Sequence, residues 1–138
     1  MEISAHLASA LRDAGLRWAP AAGDRFVIPQ PELDGQVFTL SEMTIEAHHY
    51  PTGTVLGFNG TTEWALDSVA KDDALWLPRE DQLRELLGAA FVSLTRADDG
   101  WVVTARVGGR EVELRRPGAA DAYGEALLTL VRTAVAPL

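Results

Sequence analysis

FVSLTRADDGWVVTARVGGREVELR, residues Phe91 to Arg115, decides the fold class. Apolar and polar residues alternate through it, and alternation with a period of two belongs to a half-buried strand. Gly108-Gly109 falls between two alternating runs and predicts a tight hairpin turn. Ala97 to Gly100 (ADDG) reads as a second turn. Three antiparallel strands follow, with Trp101, Val103, Ala105 and Val107 sharing one face of the middle strand.

Beyond this meander the period changes. Tyr123, Leu127, Leu130, Val131 and Ala134 define an amphipathic terminal helix. Before it, Leu83, Leu86, Leu87 and Ala90 recur at helical spacing after Pro78, with Glu80 and Asp81 placed to complement a helix N-terminus. A further helix is expected from Thr61 to Lys71, burying Trp64, Ala65 and Val69. Short strands are expected at Arg25–Pro29, Gln36–Leu40, Thr44–Tyr50 and Thr54–Phe58. At the start, Ile3, Leu7, Ala10, Leu11 and Ala14 mark one helical face, closed by Gly15 and opened by Ser4. Strands grouped in hairpins with helices set apart predict an α+β fold. The expected organisation is one domain over 1–138: an N-terminal helix, two groups of short antiparallel strands, two central helices and a C-terminal helix.

The chain of 138 residues holds no cysteine, so disulfides, thiolate metal sites and cysteine nucleophiles are excluded. No basic, apolar leader opens it and no apolar run suggests a membrane span, so a soluble cytoplasmic protein is expected. The net charge of −8 is concentrated. Eleven acidic and three basic residues lie between Glu32 and Glu85, while the remaining nine of each sign cancel. Such a field repels phosphate backbones and attracts basic protein surfaces. Nucleic acid is therefore not an expected partner.

VLGFNGTTEWALDS, Val55 to Ser68, has the strand, glycine turn and helix start of a phosphate loop. Nucleotide loops need a lysine after the last glycine, whereas Gly60 is followed by Thr61, Thr62 and Glu63. The expected role is a turn at Asn59 and Gly60 with a threonine cap. Glu46, His48 and Tyr50 fall at alternate strand positions and can line a cleft as an acid–base group. A polar, solvent-facing strand surface explains the same pattern. His6 sits beside the first helix's apolar stripe. No serine lies in a G-x-S-x-G elbow, and no cofactor motif occurs.

Trp64 and Trp76 lie in the acidic middle, near Asp72 and Asp73. Aromatics within a charged surface compose many interfaces, although ordinary burial is the commoner reason for such a residue. The expectation is a non-catalytic protein-binding or adaptor module using this acidic surface against a basic partner. The alternative is an enzyme or ligand-binding protein with Glu46, His48 and Tyr50 in a cleft. A homodimer through an exposed strand edge is a third option.

FNGTTEWALDSV and ALWLPREDQLRELLG resemble a family of small bacterial proteins, some carrying a pilus-assembly label of the CpaE type. The similarity runs from AGLRWAP through the terminal helix, most of the chain. It implies a single compact domain that stands alone, and no catalytic residues. An ATPase of the CpaE type would need the nucleotide loop from which Thr61 to Glu63 depart. Size, acidity and element order are also similar to the SUKH group of bacterial immunity and adaptor proteins, a likeness of composition only.

Overall fold

A computed structural model describes residues 2–30, 33, 35–40, 45–50, 53–58, 68–70 and 73–135; for 45–50, 53–58, 68–70 and 135 it describes the backbone alone. The fold is α+β, as expected, and the chain divides into two compact units, 1–17 with 78–138, and 18–77.

The first unit starts with α1 (Ala5–Asp13). Ser4 caps it, its hydroxyl accepting from the Leu7 backbone N–H at 3.2 Å. Ile3, Leu7, Ala8 and Leu11 are buried, and His6 is exposed. Helix α2 (Glu80–Leu87) follows Pro78, and the backbone N–H of its N-cap, Arg79, donates to the Gln82 side chain at 2.9 Å. Only Leu83 and Leu87 of its stripe are buried; Leu86 is 44% exposed. A 3-10 turn at Gly88–Ala90 then carries the chain into the sheet.

That sheet is the predicted meander, with β7 (Phe91–Ala97), β8 (Gly100–Val107) and β9 (Arg110–Arg116) paired antiparallel in the order β7-β8-β9. Gly108 and Gly109 have φ of 60° and 80°, the two positive angles of a type I′ turn. Val103, Ala105 and Val107 are buried, while Trp101 is half-buried with the Arg96 guanidinium 5.7 Å from its ring centre. Thr104, Arg106, Glu111 and Glu113 stand on the opposite, polar face. One covered face and one wetted face suit an antiparallel sheet.

Helix α3 (Ala119–Val135) packs on β8, β9, α1 and α2. Its first turns are buried nearly all round, from Ala119 to Leu128 except Asp121 and Glu125, whereas Leu130 and Val131 are half-buried and Ala134 is exposed. The expected single stripe is therefore too narrow at the start of α3 and too long at its end. Neighbours on several sides require small residues, and Gly124 lies against Leu7 and Ile3. Asp121 accepts the Ser4 N–H at 2.7 Å, tying α3 to the head of α1.

The second unit holds two three-stranded antiparallel sheets. One has the order β2-β1-β6, from β1 (Arg25–Val27), β2 (Val37–Thr39) and β6 (Leu75–Leu77). The other has the order β3-β4-β5, from β3 (Ile45–Tyr50), β4 (Gly53–Phe58) and β5 (Ser68–Ala70). The four early strands expected as one group are thus shared between two sheets. The helix expected from Thr61 to Lys71 lies mostly outside the described residues, but its stretch Ser68–Ala70 is strand, pairing Val69 with Leu56. A β-branched valine between small residues suits a short strand as well as a helix, and the ladder decides.

Phe26 lies opposite Phe38 on one side and Trp76 on the other. Around this aromatic row Trp18, Ile28, Leu33, Leu40 and Ala74 form the unit's core. Phe26 is fully buried, and burying such a side chain contributes about 1.5–3 kcal/mol.

Candidate functional site

Asp73 and Trp76 are the expected site residues whose side chains the structure describes. Asp73 is exposed. Trp76 is half-buried in β6, its ring parallel to Trp18 at 6.4 Å between centres. Its Nε1 is buried and has no hydrogen-bond partner among the described residues. Most of this indole therefore serves the core, and only part of it reaches the surface. Trp64 and Asp72 lie outside the described residues, as does the stretch Asn59 to Glu63 expected to form a turn and a cap.

Glu46, His48 and Tyr50 stand at alternate positions of β3, opposite Gly57, Val55 and Gly53 of β4. The backbone thus spaces them as expected. Their side chains, and hence any cleft, lie outside what is described.

The other half of the acidic stretch belongs to the first unit. Glu80, Asp81 and Glu85 are all exposed on α2, and Leu86 is exposed beside Glu85. Arg79 grips Asp81 with two nitrogens, at 3.0 and 3.3 Å. That hydrogen bond holds the Asp81 carboxyl below its usual range. Arg84 turns elsewhere, its guanidinium 4.5 Å from the centre of the Phe91 ring. Phe91 packs on Tyr123 at 5.8 Å, and burial pushes the Tyr123 phenol above its usual range, against the opposing charge of Arg84. Glu80 and Glu85 face water.

The polar residue that the sequence reading missed is Asp24, 2% exposed. Its Oδ2 accepts from Trp18 Nε1 and from the Ala21 backbone N–H, both at 2.9 Å. The signal available was weak: an aspartate just after Gly23, a residue type common in turns and usually exposed there. These contacts give Asp24 a structural task within the core.

No group of three or more histidines and carboxylates is placed to hold a metal ion among the described residues. No helix among them is long and apolar enough to cross a membrane. No protein-family model matches the chain, and neither a curated protein nor a solved structure does.

Proposed function

We propose that this chain is a non-catalytic binding module, working in the cytoplasm, whose acidic surface docks a protein with a basic surface. One observation carries this reading: α2 exposes Glu80, Asp81, Glu85 and Leu86 while Leu83 and Leu87 anchor it. An apolar side chain set among exposed carboxylates, of which Asp81 pairs with Arg79, supplies both steering and a dry contact. Exposed Asp73, close in sequence to the partly exposed Trp76, repeats the combination in the second unit. The cytoplasmic location rests on composition alone, because a chain without cysteine suits a reducing compartment.

The test compares wild type with an Asp73→Lys, Glu85→Lys variant, each immobilised and exposed to lysate of the source cell. Both substituted positions are exposed, so stability should move by no more than about 0.5 kcal/mol. Wild type should capture a basic protein that is lost with rising salt, and the variant should bind it with a slower on-rate. Equal on-rates at low salt, or capture indifferent to salt, would remove the acidic surface from the account.

A further inference from the structure

The two edges of the meander are unlike each other. Five of the seven residues of β9 are charged, the usual protection of a strand edge. Strand β7, FVSLTRA, carries only Arg96, and among the described residues it pairs with β8 alone. Its Val92 is 44% exposed. A register shift between Phe91 and Ser93 bends the start of β7, and pairing with β8 is regular from Ser93 to Ala97.

The turn at Gly108-Gly109 fixes which backbone groups of β7 face outward. A type I′ turn makes Val107 and Arg110 a hydrogen-bonded pair, so Ala105, Val103 and Trp101 also turn their backbone groups toward β9. Thr104, Val102 and Gly100 then turn theirs toward β7, where they meet Ser93, Thr95 and Ala97. Leu94 and Arg96 are left with N–H and C=O pointing away from the sheet.

We propose that a second copy of this chain occupies that edge, β7 against β7 antiparallel, about a two-fold axis at Leu94. The strand is complementary to itself in this register. Leu94 meets Leu94 of the second copy, as a hydrogen-bonded pair with its backbone groups already aimed outward. Ser93 stands opposite Thr95 of the second copy, a hydroxyl pair that sheets favour. Val92 stands opposite Arg96 of the second copy, so no like charges face each other. The chain's net charge of −8 does not oppose this contact locally, because Phe91 to Arg116 carries five arginines against four acidic residues. The proposal is independent of any docking by α2.

Sedimentation equilibrium from about 10 µM to 1 mM tests it, the range expected of a small interface. Wild type should pass from monomer to dimer. Val92→Arg sets two arginine pairs face to face and should weaken the dimer about tenfold. Val92→Glu sets a carboxylate opposite each Arg96 and should keep or tighten it. A monomer throughout the range overturns the proposal. So does a dimer indifferent to Val92→Arg, or equal weakening by the two substitutions.

Discussion

The indole N–H of Trp18 donates to Asp24 at 2.9 Å, and both residues are buried. The same carboxylate oxygen holds the Ala21 N–H, so a single acid closes the loop before β1 and orients the ring on which Trp76 stacks. An isolated buried carboxylate is costly, and this one persists because buried and half-buried donors meet it.

Asp24→Ala should therefore destabilise the protein by about 2–4 kcal/mol, because the buried Trp18 donor loses its acceptor at ~1–3 kcal/mol and the part-buried Ala21 N–H at ~1 kcal/mol. Asp24→Asn keeps an oxygen in place and should cost clearly less. Urea titration followed by tryptophan fluorescence measures both. Equal losses for the two substitutions would mean that the carboxylate's packing, and not its acceptance, matters.

Two glycines separate a rigid obstacle from a yielding one. A Cβ on Gly100 would strike the Arg116 carbonyl oxygen and approach the Pro117 Cα at 2.8 Å, both backbone. A Cβ on Gly124 would meet the tips of Leu7 and Ile3 at 2.7 and 2.8 Å. Overpacking costs about 1–3 kcal/mol, and at Gly124 the better helix propensity of alanine returns up to ~1 kcal/mol. Gly100→Ala should lower the thermal midpoint more than Gly124→Ala, and the reverse order would refute this account.

Tyr123 sets an alkaline limit. Its folded-state pKa is raised by burial above the usual value of 10.0, so its proton is held longer in the folded chain than in the unfolded one. Stability should be unaffected below pH 10 and fall as pH rises from there through the raised folded value. Tyr123→Phe should remove that fall, and the late step in a tyrosinate absorbance titration should disappear with it.

The stretch after Phe58 should bind no nucleotide, since Thr61, Thr62 and Glu63 stand where a phosphate loop needs a lysine. Calorimetry with ATP and GTP should show no heat of binding. Micromolar affinity for either would overturn this.

Local signals in the chain act only within a few residues of themselves. The Gly108-Gly109 turn, the period-two runs beside it and the Ser4 cap act through nearest neighbours, so β7, β8, β9 and α1 follow from local chemistry. The spacing of Glu46, His48 and Tyr50 follows likewise from β3. Pairings between stretches far apart in the chain depend on how the whole unit packs. Strand β1 is three residues long, too short to show a period, and its place between β2 and β6 comes from Phe26 meeting Phe38 and Trp76. Burial depends on packing too. Leu86 has the spacing of a core residue yet lies exposed, and Ala8 is buried where the pattern favoured Ala10, because α3 covers only part of each helix it meets. Periodicity states which residues share a face. How wide a face is covered depends on the shape of what packs against it, and no short stretch of sequence contains that shape.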